Sequence, residues 1–581
     1  MWKKSKVKEG AHMSKSKKCI QILLAGMLIV LTACSNSSSS KESPNSSTKE
    51  AETPAVQKEA DPFGKSEEPI TIKIGKEIDA SDKSLPAGDS PESNQYTRYI
   101  KDQLNIDTKI IWQAAAGKDY EQKINLSIAS DDLPDALVVN ETQFRQMVKS
   151  GQLEDLTDVY NKYASPTIKG IIETTKGLAL KSVTIDGKMY ALPNVTPESD
   201  MVHYMWIRKD WLDKLGLQTP KTIDELEKVA KAFVEQDPDG NGKADTVGIT
   251  GPQLGGNINA DFINPNSNNY GFDPIFASFH SYPGYWLKDS NGKTTYGSIQ
   301  PETKQALSKL RDFYTKGLID KEMSIRKDAQ ELIKNGTSGI YFGVWWSGGY
   351  GPLGDAIQNN PKANWQAYAV PLDINGEFTP HMGNPSNQYL VVRKGYEHPE
   401  AAIQMQNLLF RDESKFDVNV AISNYPLRLV FASMDVMDVT YKMMKEVLAG
   451  TKKPEDLNLP GYNLLKSDAE NIKKVKLEPY DNYDIQYWNP NADIGVWKRM
   501  YSTLVGISPL QQPYKKTYSV TYSQTKTMER RWSALDKLEK ETFLKIIMGA
   551  APIDSFDQFV LDWKKQGGDQ IIAEVDEVAK P

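Results

Sequence analysis

The chain contains very little cysteine, and this scarcity excludes several kinds of site. Its 581 residues include 2 cysteines, Cys19 and Cys34, and both lie near the N-terminus. The long remainder therefore has no disulfide framework, no thiolate cluster for zinc and no cysteine nucleophile. Exported domains need disulfides mainly when their cores are small, and a chain of this length buries a core large enough to do without them.

The chain also lacks an excess of charge of either sign and the common nucleotide and hydrolase motifs. Its formal net charge is −6 with both signs interspersed, so nothing indicates a nucleic-acid surface. It has neither a phosphate-binding P-loop nor a G-x-S-x-G nucleophile elbow. Residues 349–354 formally match the dinucleotide-binding glycine pattern, but Pro352 and Pro361 leave room for only a short helix, so we reject that interpretation.

Long apolar runs are absent except for one near the N-terminus. Residues 20–31 follow a lysine cluster at positions 15–18, and this run is shorter than the roughly 20 residues that a membrane-spanning helix needs. The run ends in Leu31-Thr32-Ala33-Cys34, which resembles a bacterial lipobox. The resemblance implies that residues 1–34 hold a lipoprotein signal peptide, cleaved just before a lipid-bearing Cys34. An ordinary signal peptide with a chance cysteine is the alternative, and Met13 is an alternative start.

Residues 35–68 are rich in Ser, Lys, Glu, Asn and Pro and contain almost no large apolar side chain. Such a composition cannot bury enough surface to offset chain entropy, so we expect a disordered tether. The part of the chain that follows is longer than one ordinary domain, and two lobes are the natural expectation.

Strand and helix signals alternate where the folded part begins. We predict strands over 70–74, 106–112 and 136–139, with helices over 94–104 and 120–129 between them. This alternation is typical of a parallel sheet wrapped by helices, and it predicts an α/β fold. In such sheets ligands bind at the carboxyl ends of the strands.

Later helices carry clear end signals. Thr222 and Glu225 match a capping box ahead of an amphipathic stripe. Pro301 begins a further helix, and Gly317 ends it. Aromatic residues repeat at helical spacing between 556 and 563, which predicts core packing rather than a binding site.

Several short motifs occur in an order that resembles one protein family. They include Asp-Gly-Lys-Met-Tyr-Ala-Leu-Pro at 186–193, Trp-Ile-Arg-Lys-Asp-Trp-Leu at 206–212 and Gly-Val-Trp-Trp at 343–346. The chain resembles, over nearly all of its mature length, the extracellular solute-binding proteins that feed oligosaccharide ABC transporters. It is most similar to their alginate- and pectin-fragment-binding branch.

The resemblance implies a two-lobed, periplasmic-binding-protein-like (type II) α/β fold with a hinge and an interlobe cleft. Residues 69–192 would form the first part of the N-lobe, and residues 193–383 the first part of the C-lobe. The chain would return to the N-lobe over 384–430, and residues 431–581 would form mainly the helical part of the C-lobe. Each lobe would then be discontinuous in sequence.

Aromatic residues are abundant, and some cluster where a core strand or helix would not place them. Sugars bind through stacking on aromatic rings and hydrogen bonds from planar polar side chains. Trp345 and Trp346 follow a strand-like run and precede a glycine-rich turn that includes Tyr350. Neighbouring residues on a strand point to opposite faces, so at most one tryptophan can enter a given core. The family likeness places a stacking aromatic here; the alternative is one buried and one surface tryptophan.

Four further groups of residues are weaker candidates for ligand contacts. The turn at 279–286 contributes His280, Tyr285 and Trp286, whose rings we expect on a loop, although Trp286 could equally be core. Arg428, beside Tyr425, could clamp a sugar hydroxyl or carboxylate, or else form a salt bridge. The remaining candidates are Trp488 in the cluster 483–488 and, near the expected hinge, Trp206 and Asn194.

Residues 237–245 place an oxygen donor at every second position, as calcium loops do. The candidate ligands are Asp237, Asp239, Asn241, the carbonyl of Lys243, and Asp245. In the alginate-binding relatives a loop of this pattern holds structural calcium. Here Thr246 stands where those proteins carry an acidic residue, and Gly248 where an EF-hand has glutamate. The alternative is a solvated loop of Asx turns without metal.

We therefore expect a monomeric transport receptor that is not an enzyme, held at the outer face of the cell membrane by its lipid alone. It would bind an oligosaccharide, acidic or neutral, and pass it to ABC permease subunits. The main alternative is a secreted glycoside hydrolase or polysaccharide lyase, which would need two carboxylates across a similar cleft. A receptor for peptides or other small solutes is a second alternative.

Overall fold

The computed structural model describes residues 60–79, 82–263, 269–417, 419–472 and 494–579. The predicted lipidation site Cys34, most of the predicted tether and Trp488 lie outside these ranges. The chain divides into two units, Met1–Lys58 and Glu59–Pro581, and all described residues belong to the second. In the described ranges, none of the helices has both the length and the apolar character needed to cross a membrane.

The strands are short apart from the first two. They are β1 (Ile70–Ile78), β2 (Ile106–Ala115), β3 (Ala136–Val139), β4 (Thr184–Ile185), β5 (Lys188–Met189), β6 (Leu192–Pro193), β7 (Tyr204–Arg208), β8 (Val247–Ile249), β9 (Trp286–Lys288), β10 (Thr294–Tyr296), β11 (Ser338–Gly343), β12 (Trp365–Tyr368), β13 (His381–Met382), β14 (Tyr389–Val392) and β15 (Thr517–Tyr518).

Helices are more numerous than strands and continue to the C-terminus. They are α1 (Gln95–Leu104), α2 (Lys118–Ser130), α3 (Glu141–Lys149), α4 (Thr157–Tyr163), α5 (Pro166–Glu173), α6 (Leu178–Val183), α7 (Lys209–Lys214), α8 (Ile223–Glu235), α9 (Asp273–Ser278), α10 (Pro301–Thr315), α11 (Gln330–Lys334), α12 (Ser347–Tyr350), α13 (Leu353–Asn359), α14 (Pro399–Arg411), α15 (Val436–Leu448), α16 (Leu465–Ile472), α17 (Ile494–Tyr501), α18 (Met528–Ile547), α19 (Ser555–Trp563) and α20 (Asp569–Val578).

The first sheet has five strands in the order β2-β1-β3-β14-β6. Strand β1 runs parallel to β2 and β3, as the alternation of strands and helices predicted. Strand β14 comes from much later in the chain and runs antiparallel to both β3 and β6. The predicted helix over 94–104 is confirmed as α1, which begins after a capping box formed by Asn94 and Thr97.

The second sheet has four strands in the order β12-β7-β11-β8. Strand β7 is buried along its whole length and pairs antiparallel with β11 and β12, while β8 runs parallel to β11. The helix predicted after Thr222 is confirmed as α8, with the Thr222 hydroxyl and Glu225 forming the expected capping box. Predicted helix starts at Pro301 and near Phe556 are confirmed as α10 and α19.

Three large hydrophobic clusters stabilise the folded part. The first uses residues between 70 and 195 and between 389 and 431, and it surrounds the first sheet. The second uses residues between 205 and 370 together with 528–575, and the third uses residues between 201 and 382 together with 437–510. The chain thus leaves or re-enters the first cluster at 195–201, 382–389 and 431–437. The lobe boundaries expected from the resemblance lie beside these segments and stay predictions.

Candidate functional site

A cavity of about 260 Å³ lies at the carboxyl ends of β1 and β3. Strand β1 contributes Lys76 and Glu77, the start of α3 contributes Gln143, and a loop contributes Tyr425 and Arg428. This is the edge of the sheet where parallel strands end and where β14 joins from a distant part of the chain. Ligands of open α/β sheets bind in such a crevice.

The loop that carries Arg428 is fixed to strand β1 by a buried lysine. Lys76 is 3% exposed, and its Nζ donates to the carbonyl oxygens of Ser423 at 2.9 Å and Tyr425 at 2.5 Å. Burial lowers the pKa of Lys76 to about 8, against the opposing charges of Glu77 and Glu92. The ring of Tyr425 also packs edge-on against Tyr96, with centroids 4.2 Å apart. The loop is therefore held rigidly at the cavity.

Arg428 is exposed and faces this cavity without a bound partner. Among the described residues it forms no ion pair within 4.0 Å and no hydrogen bond, so the predicted alternative of a salt bridge does not hold there. Burial nevertheless lowers the pKa of its guanidinium, and the nearby Glu413, Tyr425 and Asp200 partly offset that effect. A side chain that is exposed to solvent but surrounded by protein lies in a concave surface.

A second group of side chains, which surrounds Trp345 of the third hydrophobic cluster, interacts electrostatically with Arg428 and Glu413. The indole nitrogen of Trp345 donates to Asp200 Oδ1 at 2.6 Å. Burial raises the pKa of Asp200 to about 6, although the Trp345 hydrogen bond and the charges of Arg428 and Arg499 oppose that rise. The Arg499 guanidinium lies 6.0 Å from the Trp345 ring and pairs with Asp468 at 2.9 Å.

Tyr350 is the most exposed aromatic ring of this second group, at 56%. Burial of its hydroxyl still raises the pKa of Tyr350, while the charge of Arg499 opposes the rise. Its helix α12 packs closely against α17. This close approach requires a glycine at position 349, because a Cβ there would lie 2.2 Å from the carbonyl oxygen of Lys498. Tyr350 therefore has both a free ring face and a charged neighbour.

Electrostatic interactions join these two groups into one site, which we call the arginine cleft. It consists of Arg428 and Glu413 from the return segment and of Asp200, Asp468, Arg499, Trp345 and Tyr350 from the later part of the chain. The charge of Asp200 acts on Arg428, and the charges of Arg499 and Arg428 oppose the burial that raises the pKa of Glu413. The cleft thus offers one free guanidinium, one paired guanidinium and an exposed ring.

Of the predicted stacking pair, Trp345 is 5% exposed and Trp346 is half-buried. Both follow β11 on a turn rather than on the strand itself, so strand alternation does not decide their directions. Trp345 serves the cleft through its N–H and one ring edge, whereas Tyr350 exposes more of its surface. The segment that the sequence analysis favoured thus contributes to the candidate cleft, and within it the ring of Tyr350 is more exposed than that of Trp345.

Tyr285 and Trp286 are corrections to the sequence analysis, because their rings are 1% and 0% exposed. The turn before them is a loop, as predicted, yet its aromatic residues point into the core. Trp286 packs against Tyr296 with centroids 4.7 Å apart, and Trp532 and Trp563 lie within 6.4 Å. The apolar area available in this aromatic cluster outweighs any gain from exposure at a binding surface.

Trp206 and Asn194 are likewise fully buried, at 0% exposure, and neither lines the cavity beside Arg428. The ring of Trp206 stacks on Tyr341. Asn194 has a structural function, since its Oδ1 accepts from the backbone N–H groups of Asn387 and Gln388 at 2.9 Å. It therefore joins two of the three segments that connect the first cluster to the rest of the chain.

His280 lies apart from the residues of the arginine cleft and braces a loop instead. It has a left-handed backbone with φ of 55°, and its Nε2 lies 3.0 Å from Asp373 Oδ2. Asp373 Oδ1 in turn accepts from the backbone N–H groups of Asn375 and Glu377. The pair orders the turn at 373–377. None of these contacts joins His280 to a residue of the arginine cleft.

Sequence reasoning missed Asp200, Arg499, Asp468 and Glu413. Asp200 lies in a 3₁₀ helix at Glu198–Met201, within the first connection between clusters, and that position was the one available signal. The others are single charged residues on helices or beside them, and nothing in the local sequence distinguishes them from surface charges.

The candidate calcium loop lies between α8 and β8. Asp237 accepts from the N–H groups of Gly240, Asn241 and Gly242 at 3.0–3.1 Å, and the Asn241 amide donates to Asp239 at 2.8 Å and to Asp245 at 3.1 Å. Burial, a hydrogen bond to Asp237 and the charge of Asp245 raise the pKa of Asp239, so the three carboxylates lie close together.

The fit of this loop to a cation is therefore incomplete. Thr246 directs its hydroxyl to the carbonyl oxygen of Phe233 at 2.7 Å, away from the carboxylates, and cannot replace the missing acidic ligand. Across the residues with described coordinates, no group of three or more acidic, histidine or cysteine side chains is arranged as a metal site.

Comparison with known proteins identifies the family. Residues 87–415 match the model of the bacterial extracellular solute-binding proteins. The chain is 26% identical over 516 residues to the polygalacturonan/rhamnogalacturonan-binding protein YtcQ of Bacillus subtilis, covering 84% of this chain and 89% of that one. It is 28% identical over 387 residues to the fructooligosaccharide ABC transporter substrate-binding protein FusA of Streptococcus pneumoniae, covering 64% and 62%.

The fold comparison agrees with the sequence comparison. The structure of the alginate-binding protein AlgQ2 without calcium ion aligns with a TM-score of 0.57 at 19% identity, and the alignment covers 88% of this chain and 98% of that one. The predicted two-lobed, periplasmic-binding-protein-like α/β fold is thereby confirmed. The chain belongs to the bacterial extracellular solute-binding proteins.

Proposed function

We propose that this protein captures an oligosaccharide in the arginine cleft and delivers it to the permease subunits of an ABC transporter. The observation that carries the proposal is Arg428, a guanidinium that faces a cavity without an ion-pair partner among the described residues. Guanidinium groups bind carboxylates and vicinal hydroxyls through two parallel hydrogen bonds. The exposed ring of Tyr350 supplies a surface on which a sugar face stacks.

The relatives support a sugar as the ligand. YtcQ is named for binding polygalacturonan and rhamnogalacturonan, FusA for fructooligosaccharide, and AlgQ2 for alginate. Polygalacturonan, rhamnogalacturonan and alginate carry carboxylates, whereas fructooligosaccharide does not. The lining of the first cavity carries both signs, with Lys76 and Arg428 beside Glu77, Asp79 and Glu121. The guanidinium of Arg428 has no ion-pair partner among the described residues, and we therefore favour an acidic oligosaccharide of the uronate class.

Thermal unfolding of the full chain in detergent, with a panel of oligogalacturonides, alginate oligomers and fructooligosaccharides, tests the proposal. Ligand at about a hundred times its dissociation constant adds about 2.7 kcal/mol of stability, which raises the melting temperature by a few degrees. We expect the largest rise with uronate oligomers. No rise with any glycan would contradict the proposal and indicate a peptide or another solute.

Variants of one arginine separate charge from shape in the same experiment. Arg428→Met should abolish the rise with uronate oligomers, since the free guanidinium is lost, whereas Arg428→Lys keeps charge but not the two-pronged geometry and should retain part of it. Arg98→Met is the matched control, because Arg98 on α1 is an exposed arginine that already pairs with Asp89. An equal effect of Arg98→Met would argue against a specific cleft.

We propose further that the cleft binds without cleaving its ligand. Glycosidases use two carboxylates set apart across the scissile bond, and here Asp200 is engaged by Trp345 and Asp468 by Arg499. The glycan recovered after incubation should therefore be intact. Shortened glycan whose formation stops in Asp200→Asn or Glu413→Gln would identify an enzyme instead.

Attachment through a lipid on Cys34 completes the proposed function. The lipobox-like sequence before Cys34 supports this, because a lipid on that cysteine would hold the receptor near its permease. Cell fractionation should find the wild-type chain with the membrane and Cys34→Ser in the medium. Equal distribution of the two would contradict the anchor.

We propose a structural calcium ion for the loop at 237–245. Three carboxylates, the Asn241 amide oxygen and the Lys243 carbonyl would hold it. Burial, and after it the hydrogen bond to Asp237 and the charges of Asp245 and Asp237, raise the pKa of Asp239, and a cation would stabilise its charged form. The ion would join the end of α8 to the start of β8 and would take no part in ligand chemistry.

A further inference from the structure

A second cavity, of about 600 Å³, lies in the later part of the chain and shares no lining residue with the cavity beside Arg428. It is bounded by the end of β7, by α7, by the C-terminal ends of α11 and α13 and by the start of β12. The residues that matter for its chemistry are Arg208, Lys362, Asn335 and Gly336. Ligand capture in the arginine cleft does not use this cavity, although Asp239 of the proposed calcium loop is one of its lining residues.

Arg208 is a buried cation with one guanidinium nitrogen that donates no hydrogen bond to a described residue. Its exposure is 2%, and it donates from Nε to Asp210 Oδ1 at 2.8 Å and from Nη2 to Asp210 Oδ2 at 2.6 Å. The guanidinium also lies 4.5 Å from the centroid of the Trp211 ring. These contacts hold the group in one orientation and leave Nη1 with no hydrogen-bond acceptor in the described ranges.

The position of Nη1 is known from its neighbour in the cavity wall. A Cβ placed on Gly336 would lie 4.0 Å from Arg208 Nη1, so the free nitrogen lies beside the glycine at the cavity surface. Gly336 has φ of 76° and no side chain to occupy the space in front of the guanidinium. The wall thus leaves room for an acceptor in front of this guanidinium nitrogen, while the indole N–H groups of Trp211 and Trp365 in the same wall are buried without a described partner.

The other unengaged polar groups of the wall are mostly donors as well. Lys362 is exposed and forms no ion pair with any described residue, and the Asn335 side chain makes no hydrogen bond there. Lys334 pairs with Asp355 at 3.6 Å. The carboxylates of the wall are engaged, Asp210 by Arg208 and Asp239 by Asn241.

We propose that the second cavity binds a small oxyanion of the phosphate or carboxylate class, with Arg208 Nη1 as its fixed donor. Lys362 supplies a second, mobile charge, and Asn335 supplies an amide donor. Asp210 fixes the guanidinium through Nε and Nη2, and an anion oxygen in front of Nη1 would accept a charge-assisted hydrogen bond from the nitrogen that Asp210 leaves free. The occupant is a free anion or the acidic group of a larger molecule, and both present the same oxygens.

Isothermal titration calorimetry on the full chain in detergent tests this site with two probes, inorganic phosphate and free galacturonate, at matched ionic strength. An Arg428→Met background removes the carboxylate binding expected in the arginine cleft, so failure of the proposed transport function does not affect the result. We expect saturable binding of at least one probe. Binding of phosphate alone would identify a phosphate-type site, and binding of galacturonate alone a carboxylate site. Binding of neither would overturn the proposal.

Substitutions at two positions of the cavity wall, Gly336 and Lys362, locate the bound probe while Arg208 itself is kept. Gly336→Asp places a carboxylate beside Nη1 and should abolish binding, while Gly336→Asn has the same backbone demand without the charge and should bind at least about tenfold more tightly than Gly336→Asp. Lys362→Ala should weaken binding about fivefold, and Lys537→Ala on α18 should leave it unchanged. Affinity that is the same in Gly336→Asp and Lys362→Ala as in the starting protein would overturn the assignment. Melting without anion confirms that each variant is folded.

Discussion

Aromatic side chains have two different functions in this molecule, core packing and the proposed ligand contact, and their degree of burial distinguishes the two. Trp286 and Tyr350 were both predicted to contact ligand, yet the first is 0% and the second 56% exposed. Both follow loops or turns and both lie among other aromatic residues in the sequence. Local pattern does not reveal whether a ring is covered, because the covering residues come from distant segments such as α18 and α19.

The two residues should therefore respond to truncation in opposite ways. Trp286→Ala leaves a large cavity among packed aromatic rings and should lower the free energy of unfolding by about 3–5 kcal/mol with unchanged affinity in the molecules that remain folded. Tyr350→Ala should change stability by less than about 0.5 kcal/mol and weaken glycan binding about tenfold or more. Denaturant unfolding and calorimetric titration of both variants measure this. If Trp286→Ala lowered glycan affinity and Tyr350→Ala did not, the assignments of these two residues would be reversed.

At the scale of elements, sequence reasoning was most successful where local signals determine structure. The alternation of β1, α1, β2, α2 and β3 and the capping box at Thr222 depend on neighbours within a few residues, and all were predicted. The antiparallel insertion of β14 beside β3 was not predicted as a strand pairing. Its four residues carry no signal for their partner, which lies elsewhere in the chain.

The residues of the candidate site were likewise predicted where a local signal existed and missed where none did. Arg428 and Tyr425 were predicted because an arginine beside an aromatic turn is locally unusual. Asp200 and Arg499 were missed because their importance comes from tertiary contacts, and the hydrogen bond of Asp200 to Trp345 spans 145 positions.

The element α18 carries a buried carboxyl group that should make stability depend on pH. Glu539 accepts from Tyr296 at 2.9 Å and Ser298 at 2.8 Å, and burial raises its pKa to about 8. The folded state therefore holds a proton that the unfolded state releases near pH 4.3, so this group lowers stability as pH rises from about 4.3 to about 8. Above pH 8 its contribution no longer changes.

Substitution of Glu539 tests this sign. Wild-type protein should lose more unfolding free energy between pH 5 and pH 9 than Glu539→Gln, by on the order of a few kcal/mol. Glu541→Gln, on the same helix and with an exposed side chain, is the matched control. Urea unfolding at several pH values gives the comparison, and parallel profiles for wild type and Glu539→Gln would refute a titrating buried carboxyl.

The loop between α8 and β8 gives a second element-scale prediction. If calcium occupies residues 237–245, adding it should raise the melting temperature by about 2–4 °C, since it relieves the repulsion among three carboxylates. Asp239→Asn should reduce the calcium-dependent rise and also raise stability in a calcium-free buffer. Magnesium serves as the control ion because it requires stricter octahedral geometry. An identical melting temperature with calcium and with chelator would exclude the site.

At the scale of the whole molecule, three chain segments connect the first hydrophobic cluster to the others. Asn194 joins two of these segments by accepting from the N–H groups of Asn387 and Gln388 and donating to the Asn387 side chain at 3.0 Å. Domain closure requires that such segments bend together. The amide thus couples two segments that would otherwise move independently.

Removing this amide should affect the whole molecule. Asn194→Ala leaves two buried N–H groups without acceptors and should cost about 1–3 kcal/mol of stability. We also expect a smaller ligand-induced decrease in radius of gyration, measured by small-angle X-ray scattering. Asn140→Ala, which removes only the cap of α3, provides a comparison of similar chemistry. A scattering response equal to wild type would mean that Asn194 only stabilises the fold.

The position of β14 also constrains how the chain reaches this structure. Strand β14 lies between β3 and β6, and its Tyr389 pairs with Val139 of β3. Without β14, one edge of β3 would be unpaired and β6 would have no strand partner in this sheet. A chain emerging from an export channel therefore presents an open, apolar strand edge until about 250 further residues have followed. Long-range pairing of this kind folds slowly. Secretion yield should consequently depend on factors that shield the first segment during that interval.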